Sequence, residues 1–163
     1  MIVSSLGATN GSLVSNLLGA GQQKGVFPIC HKIIKMGYAI GFPLVGVALF
    51  CDYWIIGFYT NNETLVQHTV PPFIVMLFNY IFAVPGYVYI SAVTGTGKTK
   101  IAFIFQVVTI MVYLLYLYWL SHCVHAPLAV YMTTEYLFVI MLGIQSVIYL
   151  KSCLLYTSPS PRD

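Results

Sequence analysis

Charged residues are scarce in this chain, which argues against an ordinary soluble domain. They make up 7% of the 163 residues, whereas soluble domains contain about 25%. Arginine does not occur before Arg162, and the acidic residues before that point are Asp52, Glu63 and Glu135. Only Glu135 falls well inside a long apolar run, and no second acid or histidine falls at a matching depth. The paired groups that a membrane-embedded enzyme needs are therefore missing, and we expect no enzymatic activity.

Long apolar runs fill most of the remaining sequence, and 59% of all residues are hydrophobic. Most runs reach the roughly 20 residues that a helix needs to cross the hydrocarbon of a bilayer. They are continuous rather than alternating, which favours a helical bundle over a β-barrel. The sequence predicts an all-α integral membrane protein with about five transmembrane helices. The runs are approximately Met1–Ala20, Met36–Thr60, Val70–Val93, Ile101–Ser121 and Pro127–Leu150.

Lysines follow alternate runs, and their placement predicts the orientation of the bundle. They follow the first, third and fifth runs, and none follows the second or fourth. Segments rich in lysine beside a membrane helix stay on the cytoplasmic side. We therefore expect a multi-pass protein in the bilayer of the cell's inner (plasma) membrane. The cytoplasmic residues are then Lys24, Lys32, Lys35, Lys98, Lys100 and Lys151.

The last eleven residues, Cys153 to Asp163, differ abruptly from the sequence before them. The segment reads Cys-Leu-Leu-Tyr-Thr-Ser-Pro-Ser-Pro-Arg-Asp. The segment matches the translation of TGT CTC TTA TAC ACA TCT followed by further codons, and this DNA resembles a transposase sequencing adaptor. We therefore predict that residues 153–163 are a translated adaptor rather than native protein, and we exclude them from the reasoning about fold and site.

Small residues recur at every fourth position of the first run, at Gly7, Gly11, Ser15 and Gly19. That spacing places them on one stripe of a helix, where the backbone of another helix can approach closely. The same run contains several serine, threonine and asparagine residues. We expect this helix to pack inside protein rather than against lipid.

Two motifs carry a resemblance to a known family. The run Ser15-Asn-Leu-Leu-Gly-Ala-Gly-Gln22 closes the first predicted helix just before a basic stretch. The run Ala92-Val-Thr-Gly-Thr-Gly-Lys-Thr-Lys100 follows a helix that contains Pro85. In order, spacing and lysine topology these motifs are similar to those of the multidrug and toxic compound extrusion (MATE) transporters.

The resemblance implies that residues 1–152 are helices eight to twelve of a twelve-helix transporter with two six-helix lobes. It implies export of hydrophobic or cationic xenobiotics by alternating access, with H+ or Na+ as the coupling ion. The expected partners are the lipid bilayer, the missing N-terminal lobe of the same polypeptide and small-molecule drugs. We expect no other cofactor, no metal site and no nucleic acid.

Two alternatives stay open. The first is a lipid-linked oligosaccharide flippase of the same superfamily, although no arginine precedes the adaptor-like tail and no lysine lies inside a run to hold its pyrophosphate. The second is a membrane subunit that does not transport. Nucleotide binding is not expected, because Gly95-Thr-Gly-Lys-Thr99 lacks the glycine that a phosphate-binding loop needs at position 92, which is Ala92. A tight turn is the better interpretation, in which Gly95 and Gly97 permit positive φ.

Glu135 is the candidate for cation coupling. An ionised carboxylate in hydrocarbon is costly, so we expect it to face the protein interior. In MATE transporters a coupling carboxylate sometimes lies in the tenth helix, but the matching positions here are Phe82-Ala83-Val84. A structural acid that accepts interior hydrogen bonds is the alternative interpretation for Glu135.

The remaining candidates are deep polar residues and helix-bending residues. Asn79, Tyr80 and Gln106 are the candidates for a substrate cavity, with interhelical hydrogen bonding as the alternative. Pro43 and the pair Pro85-Gly86 are the candidate hinges, because proline removes a backbone donor and crowds the carbonyl four residues earlier.

Overall fold

The computed structural model describes residues 2–59, 63–124 and 127–156, and the regular structure in these ranges is helical. The helices are α1 (Ile2–Gly19), α2 (Val26–Phe50), α3 (Asp52–Gly57), α4 (Glu63–Gly95), α5 (Thr99–Trp119), α6 (Leu128–Tyr131) and α7 (Thr134–Tyr156). A 3-10 turn, Gln23–Gly25, precedes α2, and a π-helical turn, Leu120–Val124, follows α5. The prediction of an all-α fold is confirmed.

Four helical segments in the described part of the chain are long and apolar enough to cross a membrane. They are Gln23–Phe50, Glu63–Gly95, Thr99–His122 and Leu128–Cys153. The first predicted span forms α1, which has 18 residues but is not among the four. Its serine, threonine and asparagine residues lower its mean hydropathy. The helix packs against α4 and α2. The first predicted span is therefore a helix that packs against its neighbours, and the other four predicted spans are the ones long and apolar enough to cross a membrane.

The second helix begins ten residues earlier than the predicted start at Met36. Val26, Cys30 and Ile33 repeat at helical spacing and are buried, which extends α2 back to Val26. Lys32 is consequently an exposed residue of the helix rather than of a connection, and Lys35 is too. At 25 residues α2 is about 37 Å long, so its first turns can extend beyond about 30 Å of hydrocarbon.

Helix α4 lies at the centre of the bundle. It packs most extensively against α7, α1 and α2, while α5 packs mainly on α7. One stripe of α4 joins the core with α1 and α2, and the core continues to α7. Buried members of this core are Val14, Val26, Val84, Val88, Val93, Leu142 and Leu150.

The small-residue stripe of α1 lies against α4 over part of its length. A Cβ on Gly11 would lie 3.2 Å from the Ser91 carbonyl oxygen, and one on Gly95 would lie 2.5 Å from the Gly11 carbonyl oxygen. Gly7 also contacts Ser91, whereas Gly19 has open space beside it. The close approach predicted for the stripe is therefore confirmed at Gly7 and Gly11.

The connection from α4 to α5 is a tight turn. Gly97 has φ +79°, a left-handed value that glycine adopts without steric strain. Gly95, by contrast, is the last helical residue of α4 and serves the contact with α1. Lys98 directly precedes α5 and is exposed. The predicted tight turn is therefore present, with positive φ at Gly97 and not at Gly95.

Candidate functional site

Glu135 lies just after an interruption in the last membrane segment. The predicted continuous helix from Pro127 to Leu150 is wrong in this respect, because α6 ends at Tyr131 and α7 begins at Thr134. The Thr133 and Thr134 hydroxyls donate to the carbonyl oxygens three residues earlier, at 2.6 Å and 2.7 Å. Such local bonds compete with a regular helix.

The interruption places Glu135 in the first turn of α7. Its backbone amide donates to the Met132 carbonyl oxygen at 3.3 Å, and its side chain is half-buried. The amides of Tyr136 and Leu137 donate to the Thr133 carbonyl oxygen, so the first turn of α7 has few free N–H groups to stabilise the carboxylate.

Helix α7 packs against α4 in the region of Glu135. The Tyr136 hydroxyl donates to the Val75 carbonyl oxygen, and its ring packs against Phe82 with 5.6 Å between centroids. Val139, one helical turn after Glu135, lies against Gly86 of α4, where a Cβ on Gly86 would stand 3.4 Å from the Val139 Cβ. Glu135 is therefore at the α4–α7 contact, on the protein side of α7.

The three predicted cavity residues do not share one site. Gln106 is exposed on α5. Tyr80 is inserted between α4 and α2, where its hydroxyl donates to the Gly37 carbonyl oxygen at 2.8 Å. Asn79 is half-buried, and its side-chain oxygen is buried without a hydrogen-bond partner. The arrangement of Tyr80 matches interhelical bonding, the alternative interpretation.

Two grooves run along α4, one on each side. The groove beside α1 has a volume of about 570 Å³, and its polar lining includes Ser12, Ser15, Asn16, Ser91 and Thr94. The groove beside α7 has a volume of about 300 Å³ and an almost wholly apolar lining. Neither groove is lined by Asn79, Tyr80 or Gln106. The polar lining of the first groove is not among the sites predicted from the sequence. The serine, threonine and asparagine residues of α1 are the sequence feature that could have indicated it.

The predicted hinge residues occupy different surroundings. Pro43 is exposed, and α2 continues through it without interruption. Pro85 lies inside α4 and lines the apolar groove. A Cβ on Gly86 would lie 2.7 Å from the Val139 carbonyl oxygen of α7. Pro85 and Gly86 are thus in the packed part of α4, while Pro43 is at the surface of α2.

A tyrosine that the sequence did not single out contacts the Pro85 region. Tyr38 of α2 donates its hydroxyl hydrogen to the Ile81 carbonyl oxygen at 2.6 Å. Ile81 lies four residues before Pro85, so its carbonyl is the one that proline deprives of a helical donor. The position of this unpaired carbonyl follows from the sequence, but its partner depends on how α2 packs against α4.

These features together define a multi-pass helical membrane protein with an open polar groove between α1 and α4. A family model, MatE, matches residues 1–120 of the 163. The chain belongs to this family of membrane transporters, so the resemblance seen in the sequence is confirmed. Searches of curated proteins and of solved structures found no match.

Proposed function

We propose that this chain is part of the C-terminal lobe of a cation-coupled multidrug antiporter that works by alternating access. Membership of the MatE family supports a transporter. The observation that carries the finer proposal is the place of Glu135, a half-buried carboxylate at a helix break against the proline-containing α4. The lysine-bearing ends face the cytoplasm in this proposal, and the other lobe of the transporter is the principal partner.

Glu135 is the coupling residue in this proposal, and H+ or Na+ is the coupling ion. A carboxylate without a bound cation is costly in a low-dielectric interior. Binding H+ or Na+ removes that cost, so the occupancy of the site follows the cation gradient. Because α7 contacts α4 at Tyr136, a change in charge one residue away can alter the contact between the two helices.

The proposed substrates are hydrophobic or cationic drugs. The polar groove beside α1 contains hydroxyl and amide groups and, among its lining residues, no lysine, arginine or carboxylate. Such a surface offers hydrogen bonds without a fixed positive charge that would repel a cation. The same lack of a fixed cation disfavours a lipid-linked pyrophosphate.

The test uses the complete transporter, in which this chain is joined to its other lobe, reconstituted in liposomes loaded with ethidium. An inward gradient of H+ or of Na+ is imposed, and dye export is followed by fluorescence. We expect export under one of the two gradients and its loss when an ionophore collapses that gradient. Absence of export under both gradients, together with translocation of a fluorescent lipid-linked oligosaccharide, would replace the antiporter with the flippase.

A further inference from the structure

Helix α4 contains Pro71, Pro72 and Pro85, and each of them deprives the carbonyl four residues earlier of its usual helical donor. The carbonyl before Pro85 is the one that faces α2. Pro85 has no N–H group, so the Ile81 carbonyl cannot form its usual bond to the residue four positions later. In the interior of a membrane such a carbonyl is paired by a neighbouring helix, a hydroxyl side chain, an ordered water or a local change of helix geometry. The Tyr38 hydroxyl is the partner here, at 2.6 Å.

Tyr38 is held in place for this bond. Its ring stacks on Phe42, one turn further along α2, with 5.1 Å between centroids and an angle of 18° between planes. The neighbouring Tyr80 makes the reverse bond, from α4 to the Gly37 carbonyl oxygen of α2. A Cβ on Gly41 would overlap the Tyr80 ring, which explains how the two helices approach so closely.

The two tyrosine bonds are not equivalent. The Gly37 carbonyl lies inside α2 and has the Gly41 N–H as a helical donor, so the Tyr80 bond is an additional one. The Ile81 carbonyl has lost the donor four residues later, so the Tyr38 bond replaces what Pro85 removes. The same chemical group therefore has a different importance at the two positions.

The segment of α4 after Pro85 carries the groove residues. Ser91 and Thr94 line the polar groove, and Val88 accepts a hydrogen bond from Asn10 of α1 at 2.8 Å. The segment before Pro85 is joined to α2 by the Tyr38 bond. A change of angle at Pro85 therefore moves the groove lining relative to α2.

We propose that Tyr38 is a positioning residue that latches α4 at Pro85 by holding the Ile81 carbonyl, which belongs to the turn where α4 can bend. A change of angle at Pro85 tilts that carbonyl away from Tyr38, so the conformation seen here has the bond and the alternative conformation breaks it. The proposal rests on the alternating-access cycle of the proposed function. The latch itself is a property of α2 and α4 and can be measured without any gradient or drug.

The experiment compares Tyr38→Phe with Tyr80→Phe in the complete transporter in liposomes, by hydrogen–deuterium exchange of the amides of residues 86–89. Removal of the Tyr38 hydroxyl leaves a carbonyl unpaired, so we expect about tenfold faster exchange. Tyr80→Phe should change exchange by less than about twofold, because Gly37 keeps its helical donor. In a Pro85→Ala background the Ile81 carbonyl regains a donor, and Tyr38→Phe should then have no further effect.

Equal acceleration by the two tyrosine variants, or an effect of Tyr38→Phe that persists with Pro85→Ala, would overturn the latch. Measurement of dye export distinguishes a positioning role of Tyr38 in transport from an effect of Tyr38 on stability alone. We expect Tyr38→Phe to lower kcat by about fivefold with KM nearly unchanged, because the latch biases conformations rather than touching the drug. An unchanged kcat would overturn the positioning role. If the wild-type protein exports no dye, the antiporter proposal fails, whereas the exchange result still decides whether the latch exists.

Discussion

Gly95 of α4 lies so close to Gly11 of α1 that a Cβ on Gly95 would stand 2.5 Å from the Gly11 carbonyl oxygen. No flexible side chain is involved, so the two backbones would have to separate to admit a methyl group. This contact joins the end of the central helix nearest Lys98 to the polar helix α1.

Gly95→Ala should therefore destabilise the protein, by about 1–3 kcal/mol, which is typical of overpacking at a close contact. Gly19→Ala is the matched control, because Gly19 is on the same stripe of α1 and has no neighbour within 4 Å. The measurement is the thermal unfolding midpoint of the purified complete transporter in detergent. Equal midpoints for the two variants would show that the α1–α4 contact is looser than described.

Asn10→Ala should also destabilise the bundle. Asn10 is completely buried, and its amide nitrogen donates to the Val88 carbonyl oxygen at 2.8 Å and to Ser91 Oγ at 3.3 Å. The Val88 carbonyl belongs to a helix and receives a bond from Ser91 as well, so the main loss is the link between α1 and α4. We expect a cost of about 1–3 kcal/mol, the usual range for disrupting a buried hydrogen-bonded group.

Asn16→Ala serves as the control for Asn10→Ala. Asn16 is on the same helix but is exposed and lines the open groove. Thermal unfolding of the two variants under identical conditions should show a lower midpoint for Asn10→Ala alone. A similar midpoint for both would mean that the buried amide contributes no net stability.

The membrane orientation can be tested at the two ends of α4. This helix has 33 residues and is about 50 Å long, and Glu63 and Lys98 are exposed near its opposite ends. In a complete transporter without native cysteines, Glu63→Cys should react with a membrane-impermeant maleimide added outside cells. Lys98→Cys should react only after the membrane is opened. The reverse pattern would contradict the positive-inside orientation.

Helical class, approximate number of spans and the stripe at Gly7 and Gly11 could all be predicted from the sequence. These features depend on local composition and periodicity, which a single chain displays directly. The tight turn at Gly97 was likewise expected, because only glycine adopts its backbone conformation without strain.

Other features depend on packing and could not be predicted in this way. The break before Thr134 lies where the Thr133 and Thr134 hydroxyls bond to the backbone three residues earlier. Ser91 makes the same kind of bond inside the uninterrupted α4, so the sequence alone does not locate the break. The early start of α2 at Val26 depends on burial of Val26 and Cys30 in the core. The role of Tyr38 depends on the helix it faces, which the sequence does not show. The sequence likewise does not show that Tyr80 contacts Gly37 instead of lining a cavity.

The coupling role of Glu135 is the central claim, and Glu135→Gln tests it most directly. Glutamine keeps the size and polarity of the side chain but cannot release a proton or bring a negative charge to a cation. Glu63→Gln is the matched control, because Glu63 also lies in the first turn of its helix but is exposed. The measurement is gradient-driven ethidium export by the complete transporter in liposomes at equal protein levels.

We predict that Glu135→Gln lowers the gradient-driven rate by about tenfold or more while the protein still binds ethidium, and that Glu63→Gln exports at the wild-type rate. Fluorescence titration of ethidium on the purified variants provides the binding control. Wild-type export by Glu135→Gln under the same gradient would contradict the account, because the cation would then be coupled elsewhere in the transporter.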